Sequence, residues 1–366
     1  MDMDKNCGSS RQVTYHANFS DKPITGYAMT RLTSLTAIAA SLLASSVSAE
    51  TLTISWWGYN GDKLNANIIE PFKDICGCDV VFETGNNADR LGKLTARGGK
   101  GVDVIYLTDS YSQVGIENGV FQPLDRSKLP NVAKLYDIAQ DPQGGYGPAY
   151  AVGRAGIVYD SAQVEPLTSW ADLWREDLAG KVSLPGITTT AGPMVVMRAG
   201  SVAGTDALTD SDGAFAQIEK IKPNVVKNYN TGSEMVNLFS TGEVSVSVAQ
   251  DFALYSLKKA VPTIAWAELE DGDIATLNTV NIPVGSENVD LAYQFINFIL
   301  STEVQTKNGA EGVDAPVNAE VELTPDQAAL WTYGAEAIAK LNRMDYSAMN
   351  KHKADWIDSW NEIFGY

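Results

Sequence analysis

Residue types that do nucleophilic, acid–base or metal chemistry are few or poorly spaced in this chain. Two histidines occur in 366 residues, and the one beyond residue 50, His352, sits between Lys351 and Lys353. One terminal imidazole does not readily serve a catalytic triad, and there is no Gly-x-Ser-x-Gly elbow. Cys76-Gly77-Cys78 lacks further ligands for a zinc site, so it reads as a structural thiol pair or a local disulfide. Gly98-Gly99-Lys100-Gly101 lacks the spacing of a phosphate loop and precedes a strand, which makes it a turn. Carboxylates are plentiful, 45 in all, and none stands out as a glycosidase pair. The chemistry on offer is that of a binder, with no cofactor and no metal.

Binding groups gather where strands should end. Trp56 to Tyr59, Thr84 to Asn87 and Thr108 to Tyr111 are rich in aromatic, amide or hydroxyl groups. Ser183 and Thr188 to Thr190 precede a helix, where hydroxyls and free amides receive anions. The elements behind them follow from periodicity. Thr51 to Trp57 is β-rich, and Leu64, Ile68, Ile69 and Phe72 recur at helical spacing up to a stop at Gly77. Asp79 to Glu83 is a second strand. Leu91, Leu94 and Thr95 mark a helix, and Val102 to Leu107 is a near-continuous apolar strand of the buried parallel type. Such alternation predicts a parallel sheet with right-handed crossovers, whose ligands collect beyond the C-terminal strand ends.

After a Pro/Gly-rich passage at 141–148, Ala149 to Tyr159 is extended and is expected to cross into a second lobe. That lobe has a strand at Lys181 to Leu184, a helix at Pro193 to Ala199, and Phe215, Ile218 and Ile221 on one helix face. Val244, Val246 and Val248 alternate with Ser245 and Ser247, as in a half-exposed strand. Thr276 to Pro283 returns to the first lobe, followed by a helix with Leu291, Phe295 and Phe298, and by a helical C-terminus that includes Trp356 and Trp360. The fold class is α/β in two lobes. Residues 50–153 and 275–366 are assigned to lobe 1, and 154–274 to lobe 2.

Met29 to Glu50 reads as a signal peptide. Arg31 is the basic flank, Leu35 to Leu43 the apolar core, and Val47-Ser48-Ala49 the cleavage site. The core is far short of the about 20 residues that a membrane span needs. Cleavage after Ala49 is expected, with 29–49 the signal peptide and 1–28 an upstream extension set aside from the fold. A formal charge of −18 with no basic cluster disfavours nucleic acid.

Several segments occur in a telling order: Trp56-x-x-Tyr59, Val102-Asp103-Val104-Ile105, Asp125-Arg126-Ser127-Lys128-Leu129, Thr168-Ser169-Trp170-Ala171-Asp172-Leu173-Trp174, Gly242-Glu243-Val244, Ile282-Pro283 and Ile296-Asn297-Phe298-Ile299-Leu300. Over nearly all of residues 50–366 the chain resembles the periplasmic spermidine/putrescine-binding proteins of ABC importers. The resemblance implies a hinged, two-lobed periplasmic-binding-protein fold, type II-like, that closes on ligand and docks on a permease.

The family holds polyamines with an aromatic box and carboxylates. Trp56 and Tyr59 match its first aromatic pair; for Trp56 the alternative is core packing, with Trp57 facing the cleft. Thr108 falls on a family hydroxyl, and Ser110 replaces an aromatic. The family's paired carboxylates fall in Ile187 to Thr190, placing Thr188 and Thr190 at the site without an acid. A box tryptophan aligns with Gln250, and a Trp-x-Asp pair with Thr276 to Asn278. With three acids gone, a long dication is hard to hold. Arg154 stands where the family has a small neutral residue and either forks onto a ligand anion or makes a salt bridge. Arg90 and Arg198 fall within helical patterns, on what should be solvated faces. Asp251 and Asp314 are the acids nearest the family pocket, with an N-cap and a turn as their alternatives.

The expected function is a periplasmic receptor of an ABC importer for a small amine-bearing zwitterion such as γ-aminobutyrate. Its partners are that small-molecule ligand and the inner-membrane permease, and a monomer is expected. The alternatives are a putrescine/spermidine transport protein, a ligand sensor for a membrane receptor, and an exported enzyme.

Overall fold

The computed structural model describes residues 50–58, 61–329 and 331–365. Residues 29–49, read above as a signal peptide, residues 1–28, read as an upstream extension, and Tyr59 lie outside the described residues.

The strands are β1 (Thr51–Trp56), β2 (Asp79–Thr84), β3 (Val104–Thr108), β4 (Ala149–Asp160), β5 (Val182–Pro185), β6 (Val225–Tyr229), β7 (Val246–Gln250), β8 (Ile264–Trp266) and β9 (Ile274–Asn281). They form one sheet in the order β2-β1-β3-β9-β4-β7-β5-β6, with β8 against β4. β1 runs parallel to β2 and β3, as the βαβ pattern requires. β4 and β9 pair antiparallel from Ala149 to Ala155 and join the two halves of the sheet. These are the two crossings anticipated at 149–159 and 276–283.

The helices that matter for the site are α1 (Glu70–Cys76), α2 (Asn87–Ala96), α3 (Asp109–Glu117), α4 (Gly192–Ala203), α5 (Ser211–Ile221), α6 (Gly232–Ser240), α7 (Val289–Ile299) and α8 (Tyr346–Phe364). Gly77 closes α1 at φ 62, donating its N–H to the Lys73 carbonyl. A side chain is strained in that left-handed conformation, which is why the apolar pattern stops at a glycine. Cys76 and Cys78 flank this turn and are joined in a disulfide, the second of the two alternatives for the pair.

Each lobe has its own core. The first packs Leu52, Ile54, Phe72, Tyr106 and Phe295. The second packs Ile157, Trp170, Val182, Met194, Ile218 and Val248. Two features depart from the sequence expectations. Ser245 and Ser247 are buried, at 4% and 0% exposure, so β7 is not half-exposed. β7 lies between β4 and β5, and the Ser247 hydroxyl is satisfied inside the sheet by the Ser183 hydroxyl at 2.9 Å. The C-terminal helix also differs from its assignment to lobe 1. Ile338 packs in the first core, but the chain then bridges Asn342 to Ile274, and α8 buries Met349, Trp356 and Trp360 in the second core. The chain therefore crosses a third time. Sequence spacing reports which face of α8 is apolar but not which lobe receives it.

Candidate functional site

The two lobes face one another across a cavity of about 480 Å³. Asn86, Asn87 and Tyr111 line it from the first lobe; Thr188 to Ala191, Asn230, Gln250 and Phe252 line it from the second. Its lining side chains carry no formal charge. Four helices begin at or beside it: α2 behind its N-cap Asn86, α3 behind Thr108, α4 behind Ala191 and α6 at Gly232. Helix N-termini favour negative charge, and side chains already take one first-turn N–H at each of these: Asn86 that of Asp89, Asp109 that of Ser110, Thr189 that of Gly192 and Thr231 that of Glu234. Thr189 orders the entry to α4: its hydroxyl donates to the Gly186 carbonyl at 2.8 Å and accepts from Gly192 N–H at 3.1 Å. Thr188, Thr190 and Gln250 thus meet in one cleft. Ser110 lines a smaller adjoining cavity with the same threonines and bonds to Thr108 at 3.2 Å. Asn278 stands opposite Thr108 across the β3–β9 register and is partly exposed.

Around Phe252 this cavity gives way to a second, of about 430 Å³, whose wall carries three charged residues, Lys63, Asp251 and Glu311, beside Tyr255, Val313 and Trp331; Lys63 Nζ donates to the Glu311 carbonyl. Phe252 lines both and is 65% exposed, an aromatic face turned toward whatever the cleft holds. Next to Val313, Asp314 is partly buried. Among the described residues no donor lies within hydrogen-bond distance of its carboxylate, and burial pushes its pKa up to about 7. Its negative charge is felt at the Tyr106 and Tyr150 hydroxyls, both pushed up mainly by burial. Tyr150 accepts a hydrogen bond from Trp57 Nε1 at 3.0 Å.

Trp56 and Trp57 both pack on the first core but differ in burial, and neither is among the residues lining the two cavities. Trp56 is 8% exposed in the first core, 6.1 Å from the Phe82 ring. Trp57, one residue on and facing the other way, joins Tyr150 and lies 4.5 Å beneath the Arg90 guanidinium. Arg90 is not on a solvated face. It is fully buried and donates to the carbonyls of Gly85, Ser55 and Tyr106, tying together the C-terminal ends of β1 and β3. Nothing in its helical spacing announced this. Arg198 is also occupied, donating to the Gly272 carbonyl and stacking 5.3 Å from Trp170. Trp56→Ala is expected to lower stability by about 3–5 kcal/mol through loss of a core aromatic. Trp57→Ala should cost less than half of that. Thermal melts on both variants check the difference, and equal stability losses would undo it.

The crossing strands hold a separate charge cluster. Arg154 Nη1 donates to Asp273 Oδ2 at 2.9 Å, and the guanidinium lies 4.6 Å from the Trp266 ring, whose Nε1 also donates to Asp273 at 3.0 Å. Of the two roles open to Arg154 in the sequence, the salt bridge is the one formed. Asp251 accepts from the Thr332 hydroxyl at 2.6 Å, a bond from the second-lobe strand end to the segment after Trp331, which packs on the first core. It does not cap the helix that follows, Leu254–Ala260, whose N-cap position is Ala253. Its carboxyl is pushed up by burial, with Thr332 and Arg154 opposing.

Comparison with known proteins agrees with this geometry. Residues 67–335 match the model of the family described as bacterial extracellular solute-binding protein. The spermidine/putrescine-binding periplasmic protein of Escherichia coli K12 is 25% identical over 256 residues, 68% of this chain and 73% of that protein. The crystal structure of an ABC transporter from Clostridium perfringens ATCC 13124 superposes with a TM-score of 0.80 at 40% identity, covering 85% of this chain and 99% of that one. The Atu4243 GABA receptor shares the fold, with a TM-score of 0.70 at 20% identity over 86% of this chain and 97% of the receptor. With a two-lobed α/β fold, a cleft at the strand ends and a family match over most of its length, this chain belongs to the bacterial extracellular solute-binding proteins, which bind their solutes and do not transform them.

Proposed function

We propose that the protein is the periplasmic solute receptor of an ABC importer and that its ligand is a small zwitterion, an amine and a carboxylate separated by a short aliphatic chain, as in γ-aminobutyrate. One observation carries this reading: the cleft is polarised. One cavity is uncharged and lies at helix N-termini; the adjoining one has two acids, Asp251 and Glu311, and one cation, Lys63, on its wall, with the further acid Asp314 beside it. A carboxylate is favoured at the first end. An ammonium is favoured at the second, where it supplies Asp314 with a partner and the neighbouring aromatic rings with a cation. Phe252 between them offers an apolar face to the methylenes. The anion is therefore placed at the helix N-termini, since Arg154 is already engaged by Asp273.

The importer role rests on the ABC transporter from Clostridium perfringens and on the periplasmic relatives. Ligand-stabilised closure is the working principle, because the closed form is the one that ligand contacts from both lobes favour. A diamine is the second reading, favoured by the polyamine-binding relatives and by two acids at one cavity, Asp251 on its wall and Asp314 next to its Val313. Calorimetric titration with γ-aminobutyrate, putrescine and spermidine separates the two. The zwitterion is expected to bind at least about tenfold more tightly than either amine, about 1.4 kcal/mol. A preference for spermidine would transfer the assignment to the polyamine reading.

A further inference from the structure

A third cavity, of about 300 Å³, lies in the second lobe against the same loop, Gly186 to Thr188, that forms the cleft wall. Asn228, Trp360, Ile187 and Ile357 line it, and Thr188 and Asn230 line both this cavity and the cleft. Asn228, near the end of β6, is 5% exposed, yet neither its Oδ1 nor its Nδ2 has a partner among the described groups. Trp360 on α8 is 1% exposed, and its Nε1 is likewise unpartnered. The surroundings make these three atoms exceptional. Trp170, Trp174, Trp266 and Trp356 in the same lobe each donate their indole N–H to an oxygen. Asn224, four residues before Asn228 and equally buried, spends its amide on the carbonyls of Leu173 and Arg175. Buried polar groups are nearly always paired, so three unpaired atoms around one cavity call for a partner that is not part of the chain.

We infer that this cavity is a second small-molecule site, distinct from the cleft, that takes a neutral molecule carrying both a hydrogen-bond donor and an acceptor, of the amide class. Asn228 offers one acceptor and two donors, and Trp360 a further donor, which is the complement of a primary amide. The charged groups at the cavity cancel, since Lys227 and Glu234 stand 3.9 Å apart, so an ion of either sign gains little there. Ile187 and Ile357 supply apolar contact for the body of the molecule. The loop between the two sites is tightly held: Gly186 N–H donates to the Tyr229 carbonyl at 2.8 Å, and a side chain at Gly186 would meet Asn230 Oδ1. A molecule here presses on the backbone that carries Thr188 toward the cleft.

The test uses the whole chain with ¹⁵N-labelled tryptophan, with the Trp360 indole resonance assigned by its loss in Trp360→Phe. Acetamide is the probe, and N,N-dimethylacetamide, which lacks a donor, is the comparison. Acetamide should shift the Trp360 resonance saturably, with at least about fivefold tighter apparent binding than dimethylacetamide. Asn228→Asp, which keeps the side-chain shape and removes the donors, should weaken acetamide about tenfold or more. Asn228→Leu should abolish the saturable shift while leaving the thermal midpoint equal or higher, because it removes an unpaired buried amide. A shift that never saturates, or a saturable one that Asn228→Asp leaves unchanged, overturns the inference. The outcome does not depend on which solute the cleft binds.

Discussion

Replacing Asp314 by asparagine is expected to weaken binding of the amine-bearing ligand about a hundredfold or more. Leaving a charge unpaired in a partly buried site costs on the order of 3 kcal/mol, and the ammonium would be left facing a neutral amide. The same carboxyl makes binding pH-dependent. In the free protein burial holds its pKa at about 7, so below neutrality it is largely protonated and must lose that proton to receive an ammonium. Affinity should therefore fall by up to about tenfold per pH unit below 7 and level off above it. The calorimetric heat should vary with the ionisation enthalpy of the buffer below neutrality. In Asp314→Asn both dependences should be lost between pH 5 and 7. Undiminished binding of γ-aminobutyrate at pH 5 by the unmodified protein would remove Asp314 from the site.

Stability without ligand should move with pH in the opposite direction to affinity. A carboxyl whose folded pKa is raised favours folding fully below its unfolded value near 4, and that contribution is lost as pH rises through about 7. Asp314 and the buried Asp109, which burial also pushes up to about 7, both act this way. Asp109 is held by the Ser110 and Leu277 amides, so its carboxylate is structural. Asp314→Asn should therefore blunt, without abolishing, the fall in melting temperature between pH 5 and 8, with Asp109, Asp251 and Asp273, whose carboxyls burial also pushes up, supplying the remainder.

Local pattern made most of the scaffold legible. The apolar run at Val102 to Leu107 contains a strand buried on both sides, the glycine at 77 closes a helix, and the Thr168 to Trp174 segment forms a capped turn in which Ser169 and Asp172 cap reciprocally and Trp170 is buried. The cleft was legible as a consequence of topology, because strand ends in an open α/β sheet converge where the connections diverge. What was not legible depended on parity or on distant partners. Whether Trp56 or Trp57 enters the core is a one-residue question at a strand end, and alternation alone leaves it open. The burial of Arg90 depends on carbonyls at residues 55, 85 and 106 meeting over one helix turn. The lobe that receives α8 is set by which surface Trp356 and Trp360 find. Phe252, an exposed aromatic of the cleft, follows Gln250 by two residues, yet only the turn after β7 reveals that it faces both cavities.

Arg154→Ala should act on stability far more than on affinity. The sequence offered an arginine on the crossing strand as a ligand anchor, whereas the structure spends it on Asp273, 119 residues away. Asp273 is 9% exposed, and its carboxyl is pushed up by burial even with Arg154 and Trp266 opposing that shift. Removing the guanidinium leaves a buried carboxylate with the Trp266 N–H alone, and its Oδ1 has no partner among the described groups. Breaking one side of such a pair costs about 3 kcal/mol, reduced here because Arg154 is 29% exposed. Chemical denaturation should show a loss of about 2–3 kcal/mol for Arg154→Ala. Asp273→Asn in the same background should restore much of it, since the pair then has no unmatched charge. Affinity for the zwitterion should change by less than about threefold, with any change coming through the hinge strands and not through contact. If Arg154→Ala instead abolishes zwitterion binding at unchanged stability, the guanidinium leaves Asp273 when ligand arrives, and the anion belongs on Arg154 and not on the helix N-termini.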